Sequence, residues 1–208
     1  TDSTVEVLPK EIIGFTYDSA NNNNLLTGTV AGDGSLVLKV YYTRNSYKLT
    51  YVVDNETVKE ETYKYEQTVT AMETPVKAGY TFSGWDKTIP TAMPAENVTV
   101  SGSFTANTNT KYTIEYYTEN TDGTFSINSS ETKTATTDAT VSATAKAIAG
   151  FAYDSSNTNN VLSGNVAGDG SLVLKVYYTR NSYKITYVVD KETVKEETYK
   201  YEAPVNPI

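Results

Sequence analysis

Apolar and polar residues alternate with a period of two in several stretches of the chain, the pattern of strands with one face on a core. In residues 35–43, Leu36, Leu38, Val40 and Tyr42 fall on one face and Val37, Lys39 and Tyr41 on the other. The preceding Ala31-Gly32-Asp33-Gly34 is a turn signal, because Asp-Gly supplies the positive φ of tight hairpins. In residues 47–53, Tyr47, Leu49, Tyr51 and Val53 share a face. Asp54-Asn55 then turns the chain into a second arm, 58–65, with Lys59, Glu60, Glu61 and Lys64 toward water. The same alternation predicts strands over 97–105, 112–116 and 171–179. A short helix fits 138–147, where Asp138 is a possible cap ahead of an Ala-rich run that Thr and Val dilute.

These patterns recur. Residues 14–66 and 150–202 align without a gap at an offset of 136 and match at 45 of 53 positions. All 17 residues from Val30 to Ser46 are identical to Val166–Ser182. The chain therefore reads as about one and a half copies of a 136-residue unit, begun and ended inside that unit, and is expected to be a piece of something longer. The unit itself is composite. Residues 111–182 and 47–110 each open on an alternating strand, carry a β-rich middle (140–151 and 68–80) and close on another alternating strand. This predicts four segments: partial 1–46, whole 47–110, whole 111–182 and partial 183–208. Only Arg44-Asn45-Ser46 separates the strands at one joint, and three residues span at most about 10 Å. Neighbouring segments must then nearly touch, as in a semi-rigid rod rather than beads on a loose string. Segments this small bury a marginal share of their surface, about 60 %, so large Tyr side chains are expected to carry the cores.

Composition agrees and excludes chemistry. Of 208 residues, 18 are Tyr, 34 Thr and 17 Asn, which favours strands and turns. With no His and no Cys, a Ser-His-Asp triad, imidazole or thiolate metal sites, disulfides and iron–sulfur clusters are all ruled out. The net charge of -8 opposes nucleic-acid binding, and no apolar run approaches the ~18 residues of a membrane span. The start, TDSTVEVLPK, carries no signal-peptide pattern.

Specific motifs add a family. The stretches PVKAGYTFSGWD (75–86) and MPAENVTVSGSFT (93–105), after Tyr63-Lys-Tyr65, resemble the B-repeat of internalin-type bacterial surface proteins, with Tyr65-Glu66 where that family usually has Tyr-Gly. YTIEYYTEN (112–120), GFAYDSSNTNN (150–160) and SLVLKVYYT (171–179) are similar to mucin-binding-protein (MucBP) repeats. The resemblance implies a mostly β protein, α+β at most, of tandem small β-grasp (ubiquitin-like) modules. It also implies an exported, often wall-anchored protein of a Gram-positive bacterium, without catalytic residues or cofactors.

Candidate ligand-facing residues are four aromatics. Trp85, the single Trp, follows Tyr80, Phe82 and Gly84, and reads either as a sugar-stacking platform or, more simply, as core on a bent strand. Tyr41 and Tyr177 each belong to a Tyr-Tyr pair that puts one ring on each strand face, for packing between segments, plain exposure or a glycan. Asp33 and Asp169 stand alone in tight turns, too few oxygens for calcium. Carboxylate-pair hydrolysis lacks a pocket signature, and an intramolecular Lys–Asn bond lacks a buried Lys. The expected role is a non-enzymatic stalk of a surface or secreted protein that holds a distal domain away from the cell. The alternative is direct adhesion to host glycan, mucin or protein. The expected partners are neighbouring repeats, with no nucleic acid, membrane insertion, metal or cofactor.

Overall fold

A computed structural model describes residues 2–206, and among them every regular element is a strand. The chain folds as two compact units. One runs to Pro75 and takes in Phe82–Phe104; the other comprises Val76–Thr81 and the described residues from Thr105 on.

In the first unit, Ser46–Val53 and Glu56–Lys64 form a hairpin, and Val98–Gly102 adds to Ser46–Val53 in parallel. The hairpin turn falls on Asp54 and Asn55, both at positive φ (51° and 69°), as a two-residue turn that matches strand twist requires. The alternation read from the sequence puts Leu49, Tyr51 and Val53 inside, and Leu49 and Tyr51 pack with Tyr63, Val69, Met93 and Val100. Ahead of this sheet lie two short ladders, Thr4–Glu6 with Thr27–Thr29 and Phe15–Tyr17 with Tyr42–Arg44.

The second unit holds a four-stranded sheet in the order Phe125–Ala135, Thr110–Glu119, Val173–Arg180, Phe151–Tyr153. Its two central strands are parallel, with Ile114 opposite Leu174 and Tyr116 opposite Val176. Parallel neighbours need a long crossover, usually a helix. Here the crossover carries the ladder Thr140–Ser142 with Ser163–Asn165 instead. It closes a core of Tyr112, Ile114, Tyr116, Val166, Leu174, Val176 and Tyr178. Ser182–Val189 and Glu192–Lys200 repeat the hairpin of the first unit.

Two expectations are corrected. No helix forms over 138–147. Asp138 sits at φ 64°, whereas a helix cap needs an extended residue; its N–H donates to Val166 O at 2.8 Å, and β-branched Thr140 and Val141 join a strand. Residues 35–43 do not form one strand: only Tyr42–Arg44 does, with a single bridge from Lys39 to Leu25. The identical sequence later in the chain makes the eight-residue strand Val173–Arg180, because Thr110–Glu119 lies beside it. The middle stretch 68–80 contributes one bridge, Thr68 to Ala92, and the first residue of the strand Tyr80–Phe82, and 97–105 is split at Ser103 into Val98–Gly102 and Phe104–Ala106.

The loops of the two copies keep the same bonds. Asn24 and Asn160 each donate a side-chain N–H to the carbonyl of Asp18 or Asp154 at 2.7 Å and accept the N–H of Tyr41 or Tyr177 at 2.9 Å. Asp33 and Asp169 each cap their turn by accepting the N–H of Ser35 or Ser171 at 3.0 Å.

Candidate functional site

The feature built three times is a joint, and it starts from a glycine. Gly14, Gly79 and Gly150 all precede an aromatic residue and all have φ between 78° and 81°. The carbonyl of each accepts the N–H of an asparagine: Asn45 on Gly14 at 2.8 Å, Asn107 on Gly79 at 2.9 Å, Asn181 on Gly150 at 2.9 Å. The carbonyl of each asparagine in turn accepts an N–H from the following segment, from Tyr65 at 2.8 Å, Thr137 at 2.9 Å and Tyr201 at 2.8 Å. The next residue, Glu66, Asp138 or Glu202, is at positive φ each time (60°, 64° and 58°). One hydrogen-bond relay is therefore built three times, once in the first unit and twice in the second.

Side chains close the joints. A Cβ on Gly14 would lie 2.3 Å from the Tyr65 ring, and one on Gly150 2.3 Å from the Tyr201 ring. A Cβ on Gly79 would lie 2.4 Å from Gly168 Cα. Glycine is required here by close approach as well as by φ. Phe15 meets Tyr65 edge-on at 5.6 Å, and Phe151 meets Tyr201 the same way at 5.6 Å. Arg44 lies 5.6 Å from the Phe15 ring centre and pairs with Glu66 at 3.1 Å; Arg180 repeats this with Phe151 and Glu202 at 5.7 and 3.6 Å.

The joint at Gly150 carries one group more. Glu119 is buried at the end of Thr110–Glu119. Its carboxylate accepts the Arg180 N–H at 2.9 Å and pairs with Lys200 of the next hairpin, while Arg180 Nε donates to the Glu119 carbonyl at 2.9 Å. The Lys200 ammonium and the Arg180 N–H hold the Glu119 carboxyl below the usual carboxylate range. At the Gly79 joint, Thr137 Oγ1 donates to Gly79 O at 2.7 Å and lies 2.7 Å from Thr110 Oγ1.

The four candidate aromatics have different surroundings. Tyr80 is part of the Gly79 joint: its hydroxyl bonds the Asp138 carboxylate and Lys77 Nζ lies 3.9 Å from its ring centre. Tyr177 is 8 % exposed, stacked on Tyr117 at 4.6 Å and met edge-on by Phe125. Tyr41, its counterpart, is 36 % exposed. Trp85 is half-buried against the core of the first unit, edge-on to Tyr51 at 5.3 Å and to Phe82 at 5.0 Å. It also lines a concavity of about 380 Å³ with Asn55, Ser83, Asp86 and Ser101. Sequence reading missed the three asparagines, the three glycines and Glu119. The available signal was the Gly-aromatic pair shared by both segment types.

The geometry defines an all-β protein of short repeats joined through a recurring contact. Residues 47–105 match the Listeria-Bacteroides repeat domain family, over the stretch whose motifs resemble internalin-type B-repeats. Among solved structures, SHIRT domains 3–4 of a streptococcal cell surface protein are similar at 16 % identity and a TM-score of 0.25, covering 65 % of this chain and 98 % of theirs. The type 2 repeat of the mucus binding protein MUB from Lactobacillus reuteri is similar at 14 % identity and a TM-score of 0.21, covering 65 % and 99 %. Mub-RV gives 16 %, 0.21, 65 % and 98 %. No curated protein matches the sequence.

Proposed function

We propose that the chain is a non-enzymatic spacer segment of a bacterial surface or secreted protein, built of β-grasp-like repeats over 1–46, 47–110, 111–182 and 183–208. The observation that carries this reading is the relay of Gly carbonyl, Asn N–H and Asn carbonyl, formed at Gly14, Gly79 and Gly150 between segments of two different types. A loose linker leaves such groups to water. Each backbone bond made here adds about 1 kcal/mol net, and the glycine contacts leave no room for slack. The family match over 47–105 supports a repeat of bacterial proteins. Among the described residues no helix is long and apolar enough to cross a membrane.

Amide ¹⁵N relaxation tests the reading. The hairpin Ser182–Lys200 is expected to tumble with the sheet of Thr110–Arg180 as one body. Order parameters at Asn181 and Tyr201 are expected at the rigid level of about 0.85. Values below about 0.6 across 180–183 would contradict a spacer of fixed joints.

A further inference from the structure

We propose that the concavity at Trp85 is a binding site for the neutral pyranose end of an oligosaccharide. This goes beyond the spacer reading and does not depend on it. Trp85 is wedged edge-on between Tyr51 and Phe82, so its indole is held in one orientation while part of it faces the concavity. Gly84 next to it is at φ 86° and also lines the concavity, and a Cβ there would meet nothing within 4 Å. At about 380 Å³ the space falls at the small end of ligand sites, ~300–1,000 Å³.

The polar groups around the indole are of the kinds that read sugar hydroxyls. Asp86 is fixed by two bonds to Ser101, accepting its N–H on Oδ1 at 2.7 Å and donating its own N–H to the Ser101 carbonyl at 2.8 Å. A carboxylate has room for about four acceptor contacts, so Asp86 keeps capacity for a pair of sugar hydroxyls. Ser83 Oγ accepts the Ser103 N–H at 3.0 Å, and the two serine hydroxyls lie 3.3 Å apart on the same wall. Asn55, on the hairpin turn at φ 69°, adds a side-chain amide to the same lining. A pyranose offers polarised C–H bonds on one face and hydroxyls at its rim. The negative face of an indole attracts the first, and carboxylate, amide and hydroxyl groups bond the second. The lining includes a carboxylate and no cation, in a chain of net charge -8, which selects neutral sugars over sialylated or sulfated ones.

Trp85 is the only Trp, so its fluorescence reports this site alone. The whole chain is titrated with glucose, galactose, N-acetylglucosamine, N-acetylgalactosamine and their β-linked disaccharides, with sialyllactose as the charged comparison. At least one neutral sugar is expected to give a saturable change with a dissociation constant of ~1 mM, with amide shift changes confined to 55, 83–86 and 101–103. Sialyllactose is expected to bind at least tenfold more weakly. Asp86→Asn, which keeps the bond to Ser101, is expected to weaken binding about tenfold. Trp85→Phe, followed by amide shifts, is expected to abolish it while the shifts of Leu49 and Val100 stay in place. No saturable change with any neutral sugar, shift changes elsewhere, or equal binding by Asp86→Asn would overturn the proposal.

Discussion

Leu174 and Leu38 stand in identical sequence, yet Leu174 is fully buried and Leu38 only half-buried. The contrast repeats along the strand. Val37 is 62 % exposed where Val173 is half-buried, and Tyr41 is exposed where Tyr177 is stacked on Tyr117. Propensity is the same in both copies, so it does not decide the outcome; the neighbouring strand Thr110–Glu119 does. The difference has a measurable cost. Leu174→Ala should destabilise by about 2–5 kcal/mol, the usual range for a buried leucine. Leu38→Ala should cost less, since part of its side chain already meets water in the folded chain. Native-state hydrogen exchange at Val176 and Val40 reads the two separately, and equal losses would contradict this account of the strand. Tyr117 offers a second residue-scale check. Its hydroxyl donates to Glu115 at 2.6 Å, and that bond with burial pushes its pKa up to about 12. Glu115→Gln should bring Tyr117 ionisation back toward 10 in an ultraviolet pH titration.

At the scale of elements, period-two alternation located Ser46–Val53 and parts of Glu56–Lys64, Thr110–Glu119 and Val173–Arg180, but not the longest strand, Phe125–Ala135, whose residues are mostly polar on both faces. The hairpin at Asp54-Asn55 was legible from its own turn residues. The other failures were non-local. Residues 138–147 look helical through their alanines, but Asp138 is held at positive φ by its bond to Val166, and no window of that length contains Val166. The candidate sites were legible only in part. Trp85 could be singled out as a platform or a core ring, and the structure gives it both a core side and an open side. The joints were not legible beyond their shortness, because a relay through backbone carbonyls leaves no side-chain signature except the glycine. Glu119 is invisible in sequence for a similar reason, since its partners Arg180 and Lys200 lie 61 and 81 residues away. Its pKa is lower folded than unfolded, so its stabilisation is present above the ordinary glutamate value of 4.5 and is lost as pH falls through the depressed folded value. Acidification below 4.5 should therefore loosen the Gly150 joint, seen as faster exchange of the Tyr201 amide. Glu119→Gln should flatten that dependence, and an unchanged pH profile would remove Glu119 from the joint.

For the whole molecule, the proposed spacer role rests on the joints being fixed, one inside the first unit and two inside the second. Two of the joints, at Gly14 and Gly150, share Arg, Asn, Phe, Tyr and Glu in the same roles 136 residues apart. The third, at Gly79, replaces tyrosine with Thr137 and keeps the relay. A solution chosen for both segment types is what a chain extended by repetition requires, because each added repeat multiplies any slack in the joint. The direct test is a spin-label distance distribution across one joint, with labels at the exposed positions Thr132 and Thr193 on either side of Gly150. The parent chain should give one narrow distance, and Gly150→Ala, whose methyl displaces the Tyr201 ring, should give a broad distribution with the strands on both sides still folded. A broad distribution in the parent, or a narrow one unchanged by Gly150→Ala, would contradict the claim.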